Sequence, residues 1–215
     1  MENINISVLT PSRGRMEMLE QNFYKMYQLS KFPEKVESLV YLDEDDTESI
    51  NFYNSNFLKE YYPYVKIFIG PRVGFKYMYI VLKNIAALSK GDIIFPIPDD
   101  AYFRMKNWDE YLLQYKDRAL IVYSKFRLAI TRKAYDQYEC IRNFYGCSRS
   151  EQKNKRPTDV ILRKYAARKG FAMRCHKIYG ESTPHDQTAQ DGRGEQWSLQ
   201  DTSILDNLPI RELTL

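Results

Sequence analysis

The 215-residue chain predicts an α/β fold, a mostly parallel central sheet flanked by helices. Two observations carry that prediction. Short β-branched apolar runs alternate with segments whose apolar residues recur at helical spacing, the rhythm of βα units. The runs also end in turn residues or paired carboxylates, at the strand ends where open parallel sheets take their ligands. The clearest case spans residues 91–100. There Ile93, Ile94, Phe95 and Ile97 form a run too short for a typical helix, and it leads into Pro98-Asp99-Asp100. Two adjacent carboxylates repel unless a cation lies near, although Pro-Asp-Asp is also ordinary turn chemistry.

The elements follow in order. Residues 4–10 read as the first strand, broken by Pro11-Ser12-Arg13-Gly14-Arg15. Met16, Leu19, Phe23, Met26 and Tyr27 mark a helix. Residues 38–42 form a second strand that ends in Asp43-Glu44-Asp45-Asp46, and Thr47 is placed to cap a helix reaching about Tyr61. Residues 65–69 form a third strand, stopped by Gly70-Pro71. A helix over about 74–89 precedes Gly91 and the run described above. Asn107 is placed to cap a helix carrying Trp108, Tyr111, Leu112 and Tyr115. Strands follow at 119–124 and 128–131, the second feeding a helix from about Lys133. Residues 146–157 read as a basic loop. Thr158 opens a helix with Ile161, Leu162, Tyr165 and Ala166 on one face, ending at Gly170. Residues 171–175 can pair as a strand, 181–195 read as a polar loop, and a short helix is expected around 199–208. No repeat or linker divides the chain, so one domain is expected over 1–215, with halves meeting near residue 100.

Hydrophobic residues make up 44% and charged residues 28%, as in soluble globular domains. No apolar run reaches the length of a membrane span, and the amino terminus lacks a secretory pattern, so no membrane partner and a cytoplasmic location are expected. Three cysteines are a sparse, odd set that argues against a disulfide framework. The net charge of +4 is unevenly spread. Residues 142–177 hold eleven Lys or Arg against Glu151 and Asp159, a balance of +9, which leaves −5 for the rest. Concentrated positive charge suits an anionic partner, or simply a solvated helix face.

Three strand ends gather on one predicted edge: residues 10–15, 43–46 and 99–100. Arg13 and Arg15 suit a diphosphate, because guanidinium forks match phosphate oxygens. Carboxylates at the second strand end can accept hydrogen bonds from a base or ribose. The third pair can hold a hard divalent cation. Together these describe a nucleotide-diphosphate site with a metal.

On these residues the chain resembles the GT-A-fold glycosyltransferases, Rossmann-like nucleotide-diphospho-sugar transferases, and in particular small ones found in phage genomes. Residues 8–15, Val-Leu-Thr-Pro-Ser-Arg-Gly-Arg, resemble that family's first strand and nucleotide loop. Leu42-Asp43-Glu44-Asp45-Asp46 resembles its acidic second strand end, and Pro98-Asp99-Asp100 stands where the family carries Asp-x-Asp. Asn107-Trp108-Asp109, Asp159-Val160-Ile161-Leu162-Arg163 with Gly170-Phe171, and His176 with Gly180 and Asp186-Gln187-Thr188 match later segments in the same order. The likeness covers about residues 4–190. Pro98 departs from the motif, so only Asp99-Asp100 matches, and Thr158-Asp159 replaces the Glu-Asp usual before the base.

The resemblance implies a nucleotide-sugar half over 1–100 and an acceptor half over 101–215. It implies that a nucleotide-diphosphate sugar, foremost a UDP-sugar, is bound by Thr10, Pro11, Arg13, Arg15, Asp43, Asp45, Arg72 and Asp99. Asp100 and His176 would hold Mn2+ or Mg2+, and Asp159 would be the catalytic base. Trp108, Asp109, Arg149, Lys153, Lys155 and Arg156 would face the acceptor. DNA bearing 5-hydroxymethylcytosine is one candidate acceptor, and a carbohydrate or lipopolysaccharide is another. Bland roles stay open for some of these residues: Asp159 as a helix-terminus carboxylate, His176 as a core histidine, Trp108 as a core aromatic. A nucleotidyltransferase and a non-catalytic nucleic-acid-binding protein are the rival functions. Thr10–Arg15 lacks the lysine of the first, and acidic strand ends count against the second.

Overall fold

A computed structural model describes residues 4–54, 64–74, 77–100, 103–123, 128–144, 158–174 and 208–213. Its centre is β1 (Ile6–Ser12), which pairs in parallel with β2 (Val36–Asp43) on one side and β4 (Ile93–Pro96) on the other. β3 (Val65–Gly70) extends the parallel set beyond β2. β5 (Ile121–Tyr123), β6 (Leu128–Thr131), β7 (Ala172–Arg174) and β8 (Arg211–Glu212) complete the order 7-5-6-4-1-2-3-8. β6 is antiparallel to both β4 and β5, and β7 is parallel to β5. The carboxyl ends of β1–β5 and β7 therefore lie on one edge.

Side chains alternate across each strand, so the sheet divides the core into two layers. Ile6 and Val8 face α1 (Met16–Leu29), α2 (Thr47–Asn54) and α4 (Trp108–Leu113), through Leu19, Phe23, Met26, Tyr53, Trp108 and Leu112. Leu9 and Leu39 face the other layer. That layer is built by α3 (Met78–Leu88), α5 (Arg132–Gln137), α6 (Glu139–Arg142) and α7 (Thr158–Arg168).

At the amino edge a buried carboxylate fixes how the strands start. Glu37 is 1% exposed. Its Oε1 accepts from Ser7 Oγ at 2.6 Å and from the Lys90 amide at 2.7 Å, and its Oε2 accepts from Lys66 Nζ at 3.0 Å. Ser7 Oγ in turn accepts from the Gly91 amide at 2.7 Å. Residues on β1, β2, β3 and just before β4 thus meet at one anion.

The structure corrects several expectations. β1 runs on through Pro11 to Ser12, because pairing with β4 ends at Leu9 and a proline nitrogen beyond it has no ladder bond to lose. Asp46, not Thr47, takes the capping place on α2, accepting from the Ser49 amide at 3.3 Å. Asn107 precedes α4 in the left-handed region without a side-chain cap. β8 was not foreseen, since two exposed charged residues carry no apolar pattern. Cys140 on α6 is disulfide-bonded, so the cysteines are not all free thiols. The loops expected at 146–157 and 181–195 lie outside the described residues, as does the expected helix at 199–208 except for Leu208.

Gly91 offers a direct check of the register. A Cβ at Gly91 would come 2.6 Å from the Ser7 nitrogen and 2.7 Å from the Ile6 carbonyl carbon, both backbone atoms. Gly91→Ala should therefore lower unfolding stability by about 1–3 kcal/mol, as overpacked cores do. Urea unfolding measures this, and an unchanged midpoint would contradict the close approach.

Candidate functional site

The carboxyl edge gathers four strand-end segments. β1 delivers Ser12, Arg13, Gly14 and Arg15. β2 delivers Asp43, Asp45 and Asp46. β3 leads to Pro71 and Arg72, and β4 leads to Asp99 and Asp100. Gly14 has φ 61°, a left-handed conformation that a side chain would strain. Its amide donates to Asp46 Oδ2 at 2.8 Å, tying the β1 loop to the start of α2.

The arginines are held by the carboxylates of neighbouring strand ends. Arg13 makes a two-pronged contact with Asp45, in which Nη2 donates to Oδ2 at 3.1 Å and Nη1 lies against Oδ1. Nη1 also donates to Asp43 Oδ2 at 3.2 Å. Arg72 approaches Asp45 at 3.8 Å. On the β4 side Arg15 Nη1 donates to Asp99 Oδ1 at 2.9 Å, and Ser12 Oγ donates to Asp99 Oδ2 at 3.1 Å. Asn22 Nδ2 reaches the Asp99 carbonyl at 3.4 Å. Tyr41 Oη donates to the Pro71 carbonyl at 2.7 Å, which steadies the turn that carries Arg72.

Burial opposes ionisation here. Asp43 is pushed up to about 6 by desolvation, and Arg13 offsets only part of that. Asp99 is also raised, first by burial, against the pull of Arg15. Arg13 moves the other way, deeper into its charged range, and its largest gain comes from the hydrogen bond to exposed Asp45. The two shifts are compatible: Arg13 is held mainly by Asp45, while Asp43 bears the cost of leaving water.

Thr10, Pro11, Arg13, Arg15, Asp43, Asp45, Arg72, Asp99 and Asp100 thus share one edge. Two acceptor assignments need correction. Trp108 is fully buried, and its Nε1 donates to the Met26 carbonyl at 2.9 Å. Asp109 is 1% exposed, and its carboxylate accepts from Ser30 Oγ and from the Lys31 and Phe32 amides. Both anchor the end of α1, and neither can face an acceptor. The sequence reading missed Ser12 and Asn22 as partners of Asp99. A polar residue on the apolar stripe of α1 was the available signal for Asn22.

Asp159 lies in the first turn of α7. That helix runs down into β7, which is parallel to β5, so its amino end lies at the same carboxyl edge. One turn further, the Arg163 guanidinium stacks over the Tyr123 ring at 5.6 Å, at the end of β5. His176, Arg149, Lys153, Lys155 and Arg156 lie outside the described residues. Among the described residues no group of three or more His, Cys, Asp or Glu is placed to hold a metal ion. Asp100 follows Asp99, whose carboxylate is engaged by Arg15 and Ser12.

Solved structures share this architecture. A mannosyltransferase from Pyrobaculum calidifontis, in complex with GDP-Man and Mn2+, superimposes with a TM-score of 0.58 at 12% identity, over 86% of this chain and 58% of its own. S. aureus TarS 1–349 gives 0.55 at 10% identity, over 86% and 63%. The fold is GT-A. A putative glucose-1-phosphate thymidylyltransferase from Bacillus anthracis gives 0.55 at 8% identity, over 92% and 98%, so the same sheet also serves nucleotidyl transfer in name. The chain spans less than two thirds of the first two proteins. No family model and no curated protein matches the sequence.

The raised Asp43 predicts a pH dependence. A carboxyl that titrates higher in the folded state than in the unfolded chain stabilises the fold fully below about pH 4, and that contribution is lost as pH rises through about 6. Between pH 4 and 7 the wild type should lose up to about 3 kcal/mol relative to Asp43→Asn. Urea unfolding across that range reads the difference, and parallel profiles would refute it.

Proposed function

We propose that the protein is a metal-dependent glycosyltransferase that moves a sugar from a nucleotide-diphosphate donor to an acceptor hydroxyl. One observation carries the reading: arginines and carboxylates from four strand ends interlock at the carboxyl edge of a GT-A sheet. Arg13, Arg15 and Arg72 bring cationic hydrogen-bond donors to that edge, matched to a diphosphate. Asp43 and Asp45 bring acceptors for a base or ribose. A UDP-sugar is the first donor to try, and the mannosyltransferase bound to GDP-Man and Mn2+ adds a second.

Asp100, with His176, would hold Mn2+ or Mg2+, whose charge offsets that of the leaving diphosphate. In an inverting reaction, the acceptor oxygen bonds to the anomeric carbon as the bond from that carbon to the diphosphate breaks. The bonding pair departs on the nucleoside diphosphate, and the acceptor proton passes to the Asp159 carboxylate. The amino end of α7 at the same edge supports this role for Asp159, whereas the helix dipole, which favours a carboxylate in the first turn, would by itself account for a structural one.

The acceptor half is read from charge. The excess of cations over residues 142–177 suits a polyanion. DNA carrying 5-hydroxymethylcytosine is the specific candidate, with Arg149, Lys153, Lys155 and Arg156 meeting backbone phosphates. An anionic carbohydrate is the alternative. Transfer of labelled sugar to hydroxymethylcytosine DNA, against plain-cytosine DNA and lipopolysaccharide, separates them. Neutralising the four cations should flatten the salt slope of DNA binding by a few units.

The reaction itself is tested by its products. Release of nucleoside diphosphate supports glycosyl transfer, whereas release of pyrophosphate moves the protein to the nucleotidyltransferases that share the fold. Asp100→Asn should abolish manganese-dependent donor binding while the protein stays folded. Full activity of that variant, or of the wild type in excess chelator, would remove the metal role. Asp159→Asn should lower turnover about a hundredfold or more with little change in donor affinity. Unchanged turnover would leave Asp159 a helix-terminus residue.

A further inference from the structure

Beneath the strand-end network lie four buried polar side chains, one of them Thr10, which is 0% exposed, so its hydroxyl is turned into the core and not toward the donor that the family resemblance assigns to it. Thr10 Oγ1, Asn22 Oδ1, Ser49 Oγ and Tyr53 Oη are buried and have no hydrogen-bond partner among the described residues. Their residues are 0%, 4%, 1% and 1% exposed. They share one layer of the core. Thr10 follows Ile6 and Val8 on the same face of β1, Asn22 lies with Leu19, Phe23 and Met26 on the buried stripe of α1, and Ser49 and Tyr53 are one turn apart on the buried face of α2. Asp46 and Asp99 flank them. The Ser49 amide donates to Asp46, and the Tyr53 phenol feels the charges of both carboxylates.

Four orphaned polar groups in one layer are unusual, since each buried group left unpaired costs free energy. The amide of Asn22 is not free to turn over: its Nδ2 donates to the Asp99 carbonyl, and a flip would set two oxygens against each other. Oδ1 therefore needs a donor. The three hydroxyls each have a proton to give as well as lone pairs to fill, and burial keeps the Tyr53 phenol protonated. A cation could use the lone pairs but would leave three O–H groups without acceptors. Water can donate and accept, and sites with several such partners are where buried water is found.

We propose that Thr10, Asn22, Ser49 and Tyr53 enclose an internal water site between α1, α2 and β1. Through Asn22 this water braces the Asp99 peptide, so Tyr53 and Thr10 are positioning residues for the turn at residues 97–100. The proposal does not depend on the transferase reading.

Two nearly isosteric substitutions test it, Tyr53→Phe and Thr10→Val, each removing one hydroxyl and no packing volume of note. A bridging water makes each lower the melting temperature, by about 2–4 °C for a chain of this size. The double variant should lose less than the sum, because the two share a partner. Melting temperatures that stay level or rise in both would show that the hydroxyls are merely unpaired and the pocket dry. That outcome overturns the proposal, since removing an unsatisfied group costs nothing. A high-resolution crystal structure gives the direct readout: density for water within 3.5 Å of at least three of the four atoms supports the site, and a dry or side-chain-filled pocket refutes it. For the bracing role, amide exchange over residues 97–100 should speed up in Tyr53→Phe relative to β2. An unchanged ratio would sink that part.

Discussion

The buried Glu37 carboxylate is the contact on which the layout of the edge depends. A buried charge stabilises little by itself, because its desolvation offsets most of what its partners return. It does choose one arrangement over others. Ser7, Lys66 and the Lys90 amide can meet Glu37 together only when β1, β2, β3 and β4 start in one register. A slip of one residue would turn every core side chain to the wrong layer and would also strand this anion. With the amino ends fixed, strand length alone decides where the opposite ends fall. Ser12 then lies beside Leu42, and Asp43 beside Gly70.

That opposite edge inverts the chemistry. At the amino edge one carboxylate is fully supplied with donors. At the carboxyl edge carboxylates outnumber the cations that bridge them, and two of them, Asp43 and Asp99, are raised by burial. Such an edge is poised to accept positive charge or to exchange its arginines to an anion. A diphosphate carrying a cation supplies both at once, which is why the proposed donor fits better than a bare polyanion would.

The two halves of the sheet differ in kind. β1–β4 are held by parallel pairing under helices on both faces. β5–β7 attach through the antiparallel strand β6, whose Thr131 Oγ1 caps α5 and bonds to the Leu120 backbone. The aromatic group Tyr138, Phe171 and Tyr165, with Tyr138 and Phe171 stacked at 4.2 Å, packs α7 onto this part. α7 is therefore held onto the sheet by aromatic packing around Tyr165 rather than by strand pairing.

The sequence by itself determined the strand–helix order, the parallel half, and the strand-end positions of Arg13, Arg15, Asp43, Asp45 and Asp99. It could do so because apolar periodicity and turn residues are local signals, and a strand end is where a local apolar run stops. It did not determine which charges pair. Arg13 and Arg15 read as phosphate ligands, yet Arg13 reaches across to β2 and Arg15 to Asp99, 84 positions away. Trp108 and Asp109 looked available for an acceptor, and only packing against the end of α1 buries them. The same holds for Asn22 and Tyr53: a polar atom in an apolar stripe is visible in sequence, but whether anything meets it depends on three elements closing around one point. Pairing, burial and hydration are set by contacts between distant segments, so the tertiary structure decided them.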